Sequence, residues 1–200
     1  MGRMPGMPGK DKVTAWADGK ARCRWANPAN ALYVEYHDRE WGVPEHDDGK
    51  LFEMLILEGF QAGLSWECIL NRREGFREAF DGFDPEKVAA YDEKKLAELL
   101  ADPRIIRNRL KIAAAPVNAR AFLEIQREYG SFGSYLWSHT GGEVIYETGL
   151  ASSPLSDGIS RELKRRGMKF VGSTIVYAYL QAVGVINSHE DGCFLARRGE

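Results

Sequence analysis

The stretch that most constrains this chain is Leu51 to Trp66, LFEMLILEGFQAGLSW. Leu51, Met54, Leu55 and Glu58 fall at i, i+3, i+4 and i+7, so they share one helical face. Phe52, Ile56 and Gly59 cover much of the opposite side. A helix that is apolar all round belongs in a core, so the spacing predicts a buried helix up to about Gly59. Glu58 then stands where an apolar residue is expected. A buried carboxylate is costly unless it is partnered or faces a polar cavity. Gly59 and Gly63 should break the helix, leaving Leu64 at the tip of a glycine-rich turn. Ser65 is an N-cap candidate for a following helix that runs through Leu70 and carries Trp66. Two readings of Glu58 stand side by side: a helix-closing acid bonded to a neighbouring loop, or a functional acid beside an apolar tip and an indole.

A length of 200 residues suffices for one generous domain or two small ones. The net charge of −2 gives no global basic field, so any nucleic-acid surface must be local. Cys23, Cys68 and Cys193 are odd in number and far apart, which argues against a disulfide framework and for a reducing cytosol. No apolar run approaches the ~20 residues of a membrane helix. The N-terminus MGRMPGMPGK lacks the apolar segment of a secretory signal. Residues 1–20, rich in Gly, Pro, Met and Lys, read as a disordered tail, and residues 21–200 as a single helical domain.

Helix signals then follow one another, with no alternation long enough for a sheet. Ala31–Tyr36 is a short candidate in a segment dense in Trp25, Tyr33, Tyr36 and Trp41. Asp47 or Asp48 caps the helix at Leu51, and another helix is expected at Glu74–Phe80. Asp84-Pro85 and Asp102-Pro103 each put a capping acid before a proline at the first helical position. Asp92 caps a helix whose apolar face is Leu96, Leu99 and Leu100. Leu110–Tyr129 forms a longer helix, kinked at Pro116 and ended by Gly130, followed by a short one at Ser131–Ser138. Ser152-Ser153-Pro154 marks a break, and Ser156-Asp157 opens a helix over Ile159–Arg166. The whole reads as an all-α chain of roughly eight to ten short helices.

Two more constellations carry chemistry. Lys164-Arg165-Arg166-Gly167 ends one helix, Met168 to Gly172 makes a tight turn, and Ser173-Thr174 opens the next, Ile175–Val183. Free amides at that second N-terminus, beside Lys169, suit a phosphate, although the same pattern serves an ordinary helical hairpin. His189 and Cys193 have ligand spacing, and Cys23 and His37 lie near the other end of the ordered chain. Two cysteines and two histidines make a closed tetrahedral zinc set. Cys68, a rival ligand, has apolar neighbours and reads as core.

The stretches RCRW (22–25), YHDREWGVP (36–44), LFEMLILEGFQAGLSW (51–66), FDPEKVA (83–89), IIRNRLKI (105–112), NARAFL (118–123) and KRRGMKFVGSTIVYAYLQAVGVINSH (164–189) resemble the DNA-3-methyladenine glycosylase I family of bacteria. The likeness spans about residues 21–193. It implies the helix-hairpin-helix glycosylase fold, with the hairpin at Gly167 to Gly172, and a structural zinc on Cys23, His37, His189 and Cys193 that joins the two ends of the chain. It implies a base pocket of Glu58, Tyr36, Trp25, Trp66 and Tyr33, with Glu58 and Tyr36 in the catalytic role. Gly63, Leu64 and Ser65 match the element that enters DNA beside the lesion, and Lys169, Gly172, Ser173 and Thr174 the phosphate contacts. The implied partner is alkylated double-stranded DNA, with free 3-methyladenine as product, handled by a monomer in the cytoplasm, at the nucleoid through its DNA. The superfamily's usual catalytic aspartate has no clear counterpart; Asp191 lies between two of the implied zinc ligands and is not assigned that role. A zinc-stabilised DNA-binding module without catalysis, and a zinc hydrolase with an open coordination position, are the competing readings.

Overall fold

The computed structural model describes residues 16–196, and among these ten α-helices carry most of the regular structure. Asn30 caps α1 (Ala31–Arg39) by accepting from the Leu32 and Tyr33 amides. Asp47 caps α2 (Asp48–Gln61) through the Lys50 amide, and every residue of α2 from Leu51 to Phe60 is buried. Then follow α3 (Trp66–Leu70), capped by Ser65, and α4 (Arg73–Ala79). Asp84 caps α5 (Pro85–Ala89) and Asp92 caps α6 (Glu93–Ala101). The long α7 (Arg109–Tyr129) is followed by α8 (Phe132–Ser138), α9 (Pro154–Arg165) and α10 (Ser173–Ala182).

Helix α2 is the hub, packing against α3, α7, α8 and α10. Its burial is what the all-round apolar pattern demands. Its polar residues are spent on its neighbours. The Asp48 carboxylate accepts from the Phe132 and Gly133 amides, both at 2.8 Å, and so also caps α8. Glu53 takes Arg73 at 2.7 Å and Arg77 at 2.8 Å, tying α4 to α2. At the end of α10, Gly184 has φ +73, and a Cβ there would lie 2.2 Å from the Val43 carbonyl carbon. Glycine lets the loop bearing Trp41 sit against α10.

Several local expectations are revised. Helix α2 runs past Gly59 to Gln61, with Gly59 inside the helix beneath Phe170; the break comes at Gly63, φ +82, which favours glycine. Asp102-Pro103 starts no helix. Asp102 is the C-cap of α6 with extended backbone, and its carboxylate takes the Arg104 amide at 2.9 Å. The next helix waits for Asn108, which caps α7. Helix α7, by contrast, ends at Tyr129 as the spacing predicts, where Gly130 turns at φ +83. Helix α9 starts at Pro154, well before Ile159, because proline suits a first helical turn and Ser156 Oγ takes the Ser153 amide at 2.9 Å. Contrary to an all-helical reading, β1 (Ile145–Tyr146) pairs in parallel with β2 (Ile186–Asn187).

Residues 1–15 of the expected tail lie outside the described residues. Its last five, 16–20, form a turn in which Asp18 pairs with Arg22 at 2.7 Å and the Arg22 guanidinium lies 4.6 Å from the Trp16 ring centroid. Among the described residues no helix is long and apolar enough to cross a membrane.

Candidate functional site

Helices α1, α2, α3 and α10, the segment before α1 and the turn after it line an open cavity of about 180 Å3. It is lined by Trp25, Tyr33, Tyr36, Trp41, Glu58, Gln61, Trp66, Ala178 and Gln181. The five residues implied as a base pocket are thus brought together. The aromatic rings make a continuous wall. Trp25 lies 5.2 Å from Tyr33 and 4.9 Å from Trp41 between ring centroids, and Tyr36 lies 5.2 Å from Trp66. The volume is below the roughly 300–1,000 Å3 of drug-sized sites and suits a single ring system.

Glu58 reaches this cavity from α2 and is only 2% exposed. Among the described residues its Oε2 has no hydrogen-bond partner, and neither has the buried indole Nε1 of Trp66. Burial alone pushes the Glu58 carboxyl up to about 8. Burial, chiefly, also holds the phenols of Tyr33 and Tyr36 above the usual range, so both stay neutral. One acid and one N–H donor, both unspent and set among electron-rich rings, form a site for a flat polar heterocycle, best a cationic one.

Behind the aromatic wall, Cys23, His37, His189 and Cys193 are all buried, their ligand atoms within 4.8 Å of one another. Cys23 Sγ lies 3.4 Å from His189 Nδ1, and Cys193 Sγ lies 3.5 Å from His37 Nε2 and 3.6 Å from His189 Nδ1. Metal–sulfur and metal–nitrogen bonds of ~2.3 and ~2.05 Å at the tetrahedral angle separate S from N by about 3.5 Å. The four residues therefore fit a tetrahedral ion. The outer contacts agree. His37 Nδ1 faces Asp38 Oδ1 at 2.8 Å, and His189 Nε2 faces the Trp41 carbonyl at 3.2 Å. Each ring thereby donates outward and turns its lone pair toward the shared centre. Burial lowers both histidines, His189 to about 4, which keeps those lone pairs free. The cluster also holds the cavity wall: Trp25 lies 5.1 Å from His37, and Trp41 lies 4.7 Å from His189.

Cys68 is not in the core. It is half-buried on α3, with Arg72 Nη1 3.2 Å from its sulfur.

Between the cavity-lining Gln61 and Trp66, Gly63 makes the turn after α2, Leu64 projects with 40% exposure, and the Ser65 hydroxyl takes the Cys68 amide. On the turn between α9 and α10 the Lys169 side chain is exposed. Gly172 is the N-cap of α10 and offers no side chain to its first amides. Thr174 follows in the exposed first turn, while the Ser173 hydroxyl is engaged by Ser156 and Asp157, leaving its amide. Sequence reasoning missed Trp41, Gln61, Ala178 and Gln181 in the cavity; Trp41 read only as part of a turn. Gln61 sits three residues after Glu58, on the same face, and that spacing was the available signal. Ala178 and Gln181 come from a distant helix and gave none.

The methyladenine glycosylase family profile matches residues 25–196. DNA-3-methyladenine glycosylase 1 of Escherichia coli K12 is 47% identical over 178 residues, covering 86% of this chain and 95% of its own. A crystal structure of 3-methyladenine DNA glycosylase I superposes with TM-score 0.84 at 45% identity, covering 88% of this chain and 99% of its own. The Staphylococcus aureus 3-methyladenine DNA glycosylase I, solved to explain 3-methyladenine recognition, gives TM-score 0.84 at 33% identity, covering 90% and 98%. With an unspent buried acid in an aromatic cavity and a match over nearly all its described length, the chain belongs to the methyladenine glycosylase family.

Proposed function

We propose that this enzyme removes 3-methyladenine from alkylated double-stranded DNA by hydrolysing its N-glycosidic bond, leaving an abasic site. The observation that carries the reading is Glu58, buried, without a hydrogen-bond partner for Oε2 among the described residues, and facing the aromatic cavity. A base cannot be reached inside the stack, so the nucleotide is extruded into the cavity. Leu64 fills the gap left in the duplex, as apolar wedges do. Gly63 and Ser65 shape that tip. Methylation at N3 makes adenine a cation on a weakened glycosidic bond. Trp25, Tyr33, Tyr36 and Trp66 favour a flat cation through their ring faces, and Glu58, ionised on binding, favours it further through a charge-assisted hydrogen bond. Because the leaving group already carries positive charge, water attacks an oxocarbenium-like sugar without strong general-acid help.

In this reading helices α9 and α10 and the turn between them are the helix-hairpin-helix element. Lys169 and the amides of Gly172, Ser173 and Thr174 hold phosphates without reading sequence. Cys23, His37, His189 and Cys193 would hold one zinc, which when bound would supply structure. The protein acts as a monomer in the bacterial cytoplasm, where its DNA is. The test is release of free 3-methyladenine from methylated duplex DNA, followed chromatographically. Release by the wild-type chain is expected, and binding of damaged duplex without release would refute the reading.

A further inference from the structure

We propose that Lys111 is a positioning residue: its ammonium fixes the last carbonyls of α2 and so sets the direction of the Gly63-Leu64 turn beside Glu58. This rests on the reading that Leu64 enters DNA. Lys111 lies in the first turn of α7, where the helix dipole disfavours a cation. It is only 7% exposed, and among the described residues it forms no ion pair. Burial lowers its ammonium's affinity for the proton. Nothing about α7 calls for a cation there.

The reason lies across the interface. Nζ donates to the Phe60 carbonyl at 2.8 Å and to the Ala62 carbonyl at 2.5 Å. The carbonyl between them, on Gln61, takes the Leu64 amide at 2.6 Å. The last carbonyls of a helix have no partner within it. Here they are filled by one lysine and by the turn itself. The same Nζ lies 5.9 Å from the ring of Phe170, which sits over Gly59 with φ +56. One side chain therefore touches the acid-bearing helix, the turn with the exposed Leu64, and the turn before α10. A cation at the C-terminal end of α2 is favourable, and removing it leaves buried carbonyls unpaired.

The test compares wild type, Lys111→Met, Leu64→Ala and the double variant below their melting temperatures. Three quantities are measured: binding of free 3-methyladenine, single-turnover release from methylated duplex, and fluorescence of 2-aminopurine beside a tetrahydrofuran abasic analogue in duplex. Free-base binding needs the cavity but no wedge, so Lys111→Met should keep it within about twofold. Release from duplex should fall about tenfold or more, with loss of the unstacking signal. In the double variant the two losses should not multiply, because Lys111 acts through Leu64. Wild-type release by folded Lys111→Met, with only a lower melting temperature, would overturn the proposal. Multiplicative losses, or an equal loss of free-base binding, would also overturn it. If Leu64→Ala itself changes neither release nor unstacking, the wedge reading fails and the proposal with it; a failure confined to Lys111 leaves the wedge standing. Should Lys111→Met not fold, Lys111→Gln, whose amide is one bond too short to reach both carbonyls as the ammonium does, is held to the same outcomes.

Discussion

Glu53 and Glu58 are both buried on α2, and among the described residues only Glu53 has a counter-ion. Glu53 is held by two arginines, whereas Glu58 Oε2 has no hydrogen-bond partner among the described residues. The first acid spends its charge on the fold. The second keeps its capacity for a ligand, and substitutions should separate the two roles.

Glu53→Gln should destabilise the protein by about 1–3 kcal/mol, because the largely buried Arg73 loses one of its two carboxylate partners and keeps only Glu40, at 2.7 Å. Excision by the protein that remains folded should be unchanged. Chemical denaturation with release assays on the same preparation checks this, and a loss of excision at full stability would contradict it.

The pH dependence of stability follows from Glu58. Its folded pKa, raised by burial to about 8, lies above the ordinary 4.5. Within that window the folded chain keeps a proton that the unfolded chain has lost, so this group's stabilising contribution is complete below the window and fades as pH rises through it. Glu58→Gln removes that slope. Its melting temperature relative to wild type should therefore climb from about pH 5 to about pH 8. Lesion affinity should run the other way. The cationic base favours the carboxylate, so binding releases a proton and tightens toward pH 8 by up to about tenfold per unit. A difference in melting temperature that ignores pH would contradict the assignment.

Metal removal should act on fold and pocket together. Cys193→Ser should lower zinc content and melting temperature in step, since structural zinc contributes folding free energy. Asp38→Asn, which alters the outward contact of His37, should weaken zinc about 10–100-fold with the ligands intact. Both are read by chelator competition and calorimetry. A zinc-free Cys193→Ser protein that melts like wild type would rule out a structural ion.

Asn118 holds the Lys169 backbone from both sides, its Oδ1 accepting from the amide at 2.8 Å and its Nδ2 donating to the carbonyl at 3.0 Å. Lys169→Ala leaves that clamp intact. It should weaken damaged and undamaged duplex about equally and reduce the salt slope by about one. Asn118→Ala should instead cost about 2–3 kcal/mol of stability. A Lys169→Ala defect confined to lesion-containing DNA would move Lys169 into the pocket.

What could be read from the chain followed how local each signal was. The buried α2, the caps at Asp84 and Asp92, and the acid inside an apolar run depend on residues within two turns of one another. Asp102-Pro103 copies the Asp84-Pro85 pattern, yet it closes a helix, because the same acid serves equally well as the acceptor of a turn. Lys111 and Asn118 looked like ordinary members of a long helix. Their partners, Phe60, Ala62 and Lys169, are about fifty residues away, and no spacing rule reaches that far. The Cys and His cluster lay between these cases: ligand types and one spacing were visible, while closure needed the two ends of the chain in place.

The most direct measurement is single-turnover release of 3-methyladenine from methylated duplex by Glu58→Gln and Glu58→Ala, with melting curves on the same preparations. A charge-assisted bond exceeds a neutral one by ~1 kcal/mol or somewhat more, so Glu58→Gln should lose very roughly tenfold in excision. Its melting temperature should be unchanged or higher. Glu58→Ala should lose more, because it also opens a cavity and leaves the polar edge of the base unpaired. Full excision by folded Glu58→Ala would contradict the role of Glu58 in the pocket.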